Sequence, residues 1–233
     1  MLQATIEKRA SSVLRVFQSK DQIKGFYNKI IRFYDLLSDR SEAPIRKAGL
    51  GLLKPCPGES IMEIGFGTGH SLVAIAKAVG PEGKVFGLDL SDQMLKLAKA
   101  NLAMAGLLDR ARLRCGDAEE MPYASDTMDA VFMSFTLELF DTPEIPKVLR
   151  ECKRLLCPGG RVVVGMSKDK FKSATACHQG VRSSDCFGSS NVNSAPSQTL
   201  LVTATRPRCA STTALTRLRP SPSPRCDRLL SPR

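Results

Sequence analysis

Three features of this sequence predict an α/β fold, a doubly wound and mostly parallel sheet with helices on both faces. Short apolar runs alternate with segments of helical period across residues 60–166. Several of those runs are apolar on both faces, as strands buried in a parallel sheet are. The first of them, "SIMEI", runs straight into "GFGTG", a glycine-rich turn of the kind that joins a strand to a helix. The chain has 233 residues, 42% hydrophobic and 24% charged, which suits one domain of the usual size with chain to spare. It holds no run of about 18 apolar residues, so no membrane-spanning helix is expected.

The elements follow in order. Residues 1–19 carry Lys8, Arg9 and Arg15 among apolar positions, but Glu7 interrupts them and no long apolar core follows. They read as an N-terminal extension of a cytoplasmic protein, with a mitochondrial targeting peptide as the weaker reading. Residues 20–55 read as a helical segment. Ile23, Tyr27, Ile30, Tyr34 and Leu37 fall at helical spacing and give an aromatic apolar face, and a second helix over 43–53 stops before "KPCPG". Strands are predicted at 60–64, 84–89, 111–115, 129–135 and 161–166. Helices are predicted at 71–79, at 91–105 with Ser91 as N-cap, and at 143–156, closing before "CPGG". Right-handed crossovers between such strands wind the sheet in both directions, and ligands bind beyond the carboxyl ends of its strands.

The pattern stops near residue 171. Residues 171–233 are a Ser, Pro and Arg mixture that buries little apolar surface, and only 199–205, "TLLVTAT", resembles a strand. This tail is predicted to be mostly disordered. It also explains the charge: nine Lys or Arg against two acids give it a net +7, which leaves +4 of the chain's +11 for residues 1–170. The body is therefore electrostatically ordinary. The tail has Phe171 and Phe187 but no other aromatic residue, so no specific nucleic-acid partner is expected from it. Eight cysteines without a C-x-x-C pair, and only His70 and His178 beside them, predict reduced thiols and no metal site.

Gly65, Gly67 and Gly69 at the end of a first strand leave backbone bare for close approach of a ligand, with the N-terminus of a helix behind it. Dinucleotides and S-adenosylmethionine both bind at such turns. The dinucleotide fingerprint is G-x-G-x-x-G, whereas the spacing here is G-x-G-x-G, with Glu63 two residues ahead of the first glycine. An acid there is awkward beside a pyrophosphate and well placed for a ligand carrying an ammonium and a sulfonium. Asp89, at the end of the second strand, suits a ribose in either ligand class, so a nicotinamide-dependent oxidoreductase stays open as an alternative.

With its surroundings, this turn resembles the class I S-adenosylmethionine-dependent methyltransferases. "EIGFGTG" is similar to their first motif, "VFGLDLS" to the second-strand motif, "CGDAEEMPYASDTMDAVFMSF" to the adenine-side motif and fourth strand, and "LLCPGGRVVV" to the turn into the fifth, with Cys157 where a lysine is usual. The resemblance covers about residues 56–166, so 56–170 is expected to be a Rossmann-like core binding S-adenosylmethionine. It implies that Glu63, Gly65, Gly67, Gly69, Asp89, Leu90, Asp117, Ala118 and Ser134 contact the cofactor. Asp89 would accept from both ribose hydroxyls and Asp117 from the adenine amino group. Glu63 and Asp117 otherwise read as caps on strand ends. His70 and Glu138 are candidates for substrate contact, against the simpler readings of a solvated helix start and the beginning of a helix; Ser134 shares that last alternative.

Within the class, "FYNKIIRFYDLLSD" looks most like the menaquinone and ubiquinone C-methyltransferase group, in which this helix folds over the cofactor. Tyr27, Tyr34 and Asp35 match that lid segment, and a plain packing helix is the alternative. The implied reaction transfers a methyl group to a small-molecule acceptor, a quinone-precursor ring among the candidates, with no general base named by the residues. The family's chain continues after the fifth strand through a helix and an antiparallel pair of strands. Residues 171–233 do not resemble that ending. The expectation is an altered C-terminus that leaves the fifth strand as an open edge and puts turnover, though not cofactor binding, at risk.

Overall fold

The computed structural model describes residues 19–167, 189–194 and 199–205, with side chains described for 19–26 and 42–166. A single sheet of seven strands runs through it: β1 (Ser60–Ile64), β2 (Lys84–Asp89), β3 (Ala111–Cys115), β4 (Met128–Ser134), β5 (Leu156–Ser167), β6 (Ser189–Ser194) and β7 (Thr199–Thr205), in the order β3-β2-β1-β4-β5-β7-β6. The first five are parallel, and β7 and β6 add antiparallel. The order reverses at β1, between β2 and β4. That is the switch point at which α/β sheets open a crevice.

Successive residues of the central strands serve opposite faces. Val131 and Met133 of β4 belong to one core with Met62, Ile64, Val162 and Val164, while Ala130 and Phe132 belong to the other with Ile61, Val85 and Val163. The first face is covered by α4 (Ile145–Leu155) through Ile145, Val148, Cys152 and Leu155. The second is covered by α2 (His70–Val79), by α3 (Asp92–Met104) and by Leu53 at the end of α1 (Lys20–Leu53). Ser91 caps α3 as its sequence position predicts, its hydroxyl accepting the Met94 N–H at 3.1 Å.

Two expectations are corrected. The helix predicted from the apolar spacing of Ile23 to Leu37 and the helix predicted over 43–53 are one continuous helix, α1, with Pro44 inside it. A proline removes one donor and strains one turn, and that does not oblige a helix anchored at its far end to stop. The anchor is Arg161. Its guanidinium donates to the carbonyls of Leu53 at 2.6 Å and Lys54 at 3.0 Å, capping the helix end, and pairs with both oxygens of Glu59 at 2.7 and 2.8 Å.

The second correction concerns β5, which is no open edge. It pairs with β7 from Arg161↔Thr205 to Ser167↔Thr199, and β6 closes on β7. "TLLVTAT" has the residues of a strand, whereas "SSNVNS" has polar residues depleted in strands, so only pairing with β7 reveals β6. The rest of the expected tail, together with residues 1–18, lies outside the described residues. Cys115, Cys152 and Cys157 are free thiols, but Cys56 is disulfide-bonded, contrary to the expectation of reduced thiols throughout. No helix of the described residues is long and apolar enough to cross a membrane.

Candidate functional site

The turn after β1 explains its own composition. Phe66 and Thr68 point inward and are buried, and the Thr68 carbonyl accepts from Asn101 of α3 at 2.8 Å. The glycines between them stay bare for different reasons. Gly65 has φ +69°, and a Cβ there would lie 2.2 Å from the Thr136 hydroxyl oxygen, so the loop after β1 touches the loop after β4 only because the side chain is absent. Gly69 has φ +86°, and a Cβ there would lie 2.9 Å from the Cβ of Ala98, so its bareness lets α2 start against α3. A Cβ on Gly67 would meet nothing within 4 Å. Of the three, Gly65 and Gly67 line a cavity and Gly69 does not.

That cavity, of about 360 Å³, opens at the carboxyl ends of β1, β2 and β4 and lies at the lower end of the range of small-molecule sites. Asp89, Leu90, Asp117, Ala118 and Ser134 line it with the two glycines. Asp89 holds the turn, because its carboxylate accepts the Gly67 N–H at 2.9 Å through one oxygen and the Ser91 N–H at 2.9 Å through the other. Burial pushes its pKa up to about 6 against the opposing hydrogen bonds from the N–H groups of Ser91, Gly67 and Leu90.

Glu63 does not line the cavity. It is 2% exposed, on the face of β1 that meets α2, where it hydrogen-bonds the Ser71 side chain. Burial holds its carboxyl well above the ordinary range; Ser71 and the charge of Arg46 oppose this, and the charge of Asp89 adds to it. Its Oε2 is buried without a hydrogen-bond partner, a costly state for a carboxyl group.

The remaining wall is assembled from distant parts of the chain. Lys20, in the first turn of α1, donates to Asp117 at 2.5 Å and to Glu119. Burial works against the charge of Lys20, but these hydrogen bonds outweigh it and the net shift of its pKa is upward. Glu119 is held down at about 2, first by Lys147, whose ammonium donates at 2.8 Å, and then by Lys20. The loop bearing Asp117 and Glu119 is pinned from α4. Arg154 donates to the carbonyls of Tyr123 at 2.7 Å and Met121 at 2.9 Å while Glu151 accepts the Met121 N–H at 2.9 Å.

Phe135, Leu139 and Phe140 also line the cavity, with Ile23 of α1. Phe135 sits at φ +56°, a conformation rare for a bulky residue, and its N–H donates to the Gly165 carbonyl at 2.8 Å. This turn stands Phe135 at the cavity wall. Sequence reasoning missed Lys20, Phe135, Leu139 and Phe140. The only signal was the apolar run "FTLELF", which reads equally well as the start of a helix. Glu138 and the exposed His70 do not line the cavity. Their neighbours turn inward instead: Leu139 from the short 3-10 segment Leu137–Leu139, and Gly67 from the loop ahead of α2. Tyr27, Tyr34 and Asp35 lie on α1, but their side chains fall outside the described residues.

Residues 61–160 match the family model of a methyltransferase domain. A demethylmenaquinone methyltransferase of Halalkalibacterium halodurans is 36% identical over 148 residues, 62% of this chain and 59% of the relative. The same enzyme of Bacillus cytotoxicus is 32% identical over 151 residues, 63% of this chain and 62% of the relative. These matches, over 100 of the chain's 233 residues, support a class I methyltransferase domain. The chain spans about 60% of the length of these curated relatives. Solved structures agree on the fold. An S-adenosylmethionine-dependent methyltransferase from Aquifex aeolicus superposes with TM-score 0.61 at 20% identity, covering 77% of this chain and 97% of that one. The (4+2)-cyclase SpnF superposes with TM-score 0.65 at 14% identity, covering 84% and 99%. A cyclase on the same fold shows that architecture alone does not choose the reaction.

Proposed function

We propose that this methyltransferase domain binds S-adenosylmethionine in the cavity and transfers its methyl group to a small, flat, apolar acceptor, with a quinone-precursor ring as the leading candidate. The observation that carries the reading is the division of one cavity into two chemistries. Bare Gly65 and Gly67, with the carboxylates of Asp89 and Asp117, supply a polar part of the lining, and Phe135, Leu139 and Phe140 supply an apolar part. The residues present suit the cofactor. Gly67 is a cradle without a side chain, and Asp89 offers carboxylate oxygens to a diol. The demethylmenaquinone activity in the names of the relatives favours a quinone-type ring.

S-adenosylmethionine, when bound, supplies an electrophilic methyl group on sulfur. The protein's own work is then to hold the acceptor in line and to exclude water, which is worth on the order of 7 to 11 kcal/mol of barrier. Phe135 and Phe140 would stack against a ring and fix its plane, while Ile23 closes the apolar side.

Cofactor binding without turnover is a second reading. One observation favours it: the family match ends at residue 160, and the sequence of residues 171–233 does not resemble the family's ending, although β7 and β6 supply an antiparallel pair. A nicotinamide cofactor is the third, disfavoured by the glycine spacing. Isothermal titration with S-adenosylhomocysteine and with NADH, followed by transfer of labelled methyl to demethylmenaquinone, separates the three. Binding of S-adenosylhomocysteine with label transfer is expected. Binding without transfer to any ring acceptor supports the second reading, and binding of NADH alone overturns the proposal.

A further inference from the structure

Lys20 belongs to none of the motifs that carry the resemblance, yet it is tied to three carboxylates at the cavity rim. It donates to Asp117 Oδ2 at 2.5 Å and to Glu119 Oε1, and it lies 3.8 Å from Glu144 Oε1. Its place along the chain is fixed by a capping box. The Ser19 hydroxyl accepts the Gln22 N–H at 3.2 Å, and the Gln22 side chain accepts the Ser19 N–H at 2.8 Å, so α1 starts at the rim and Ser19, Lys20, Ile23 and Lys24 all line the cavity. Lys24 adds a second tie, 3.4 Å from Asp92.

The consequence falls on Asp117. Its Oδ1 accepts the Glu119 N–H at 3.0 Å and its Oδ2 accepts from Lys20, so both oxygens are held and the carboxylate has one orientation. Each oxygen keeps a second lone pair, and Asp117 lines the cavity. Without Lys20 the carboxylates of Asp117 and Glu119 repel each other, and only a backbone N–H would hold Asp117.

We propose that Lys20 is a positioning residue of the nucleoside subsite, setting the Asp117 carboxylate to accept from the amino group of an adenine ring and tying α1 across that ring. This rests on the cavity reading above and deepens it. The start of α1, about 97 residues away from Asp117 in sequence, is thereby part of the specificity for the base.

The test uses the full chain and two probes, S-adenosylhomocysteine and its deaminated analogue S-inosylhomocysteine, which carries a carbonyl where adenine has the amino group. The wild-type protein is expected to prefer the adenosyl compound by about tenfold or more, the value of a charge-assisted hydrogen bond. Lys20→Met is expected to shrink the preference to about threefold or less, mainly by weakening the adenosyl compound, and Lys20→Arg to restore most of it. A purely structural role for Lys20 weakens both compounds alike and leaves the preference at its wild-type value in Lys20→Met. That result overturns the positioning role, as does a failure of Lys20→Arg to exceed Lys20→Met when thermal unfolding shows both variants folded. Failure of the wild-type protein to bind either compound overturns the cavity reading itself.

Discussion

The two sides of the cavity are built in different ways. The glycine side grows out of β1 and β2, where each residue is placed by strand pairing or by a hydrogen bond to a near neighbour: Gly65 N–H to the Leu88 carbonyl at 2.7 Å, Gly67 N–H to Asp89 at 2.9 Å, Ser91 N–H to Asp89 at 2.9 Å. The other side has no strand of its own. It is a left-handed turn at Phe135, a short 3-10 segment and the first turn of α1, held by charged pairs across the chain. Backbone geometry thus shapes the glycine turn, and contacts between distant parts of the chain shape the rest of the wall, the Asp117 carboxylate included. The first tolerates few substitutions, whereas the second is where specificity can change at modest cost.

The largest effect is expected where the two sides touch. Gly65→Ala puts a Cβ against Thr136 at a positive φ, combining overpacking with backbone strain, and should cost about 3 kcal/mol of stability while abolishing binding on both sides. Urea unfolding and titration with S-adenosylhomocysteine check this, and a stable variant with intact binding would show that the two loops are independent.

Asp89→Asn should act on the nucleoside side alone. It loses a charged acceptor for the ligand and one backbone hydrogen bond, so affinity for S-adenosylhomocysteine should fall about 10- to 100-fold by calorimetry. The pH dependence sharpens the point. Because the folded protein raises the pKa of Asp89 to about 6, the apo protein gains stability from this group at acid pH and loses it as pH rises through about 6. A ligand that donates to the carboxylate has the opposite demand. Its affinity should be highest above pH 6 and should fall by up to about tenfold per pH unit below it, a slope that Asp89→Asn flattens. An unchanged slope in that variant would assign the titration to Glu63 instead.

Phe140→Ala should divide the sides in the other direction, raising the KM of a ring acceptor about tenfold while the affinity for S-adenosylhomocysteine moves by less than about twofold. The smallest effect is expected at His70→Ala and Glu138→Gln, outside the cavity, where both parameters should stay within about twofold. A larger loss at either position would mean that the acceptor extends beyond the cavity wall.

The asymmetry also explains what could be read in advance. Apolar runs and their spacing were enough to place the five parallel strands, the Ser91 cap and the turn at Gly65, because each depends on residues close in sequence. Local pattern does not tell that a side chain on Gly69 would meet Ala98 or that Glu63 lies buried against Ser71. Sequence pattern by itself determined the α/β class, the glycine turn after β1 and the acid at the end of β2, since strand periodicity and turn chemistry are short-range properties. Only the tertiary structure decided that β6 and β7 complete the sheet, that α1 continues through Pro44, and that Lys20 reaches Asp117. Each of those rests on a partner far along the chain, and no local pattern encodes which distant group a strand edge, a helix end or an ammonium will meet.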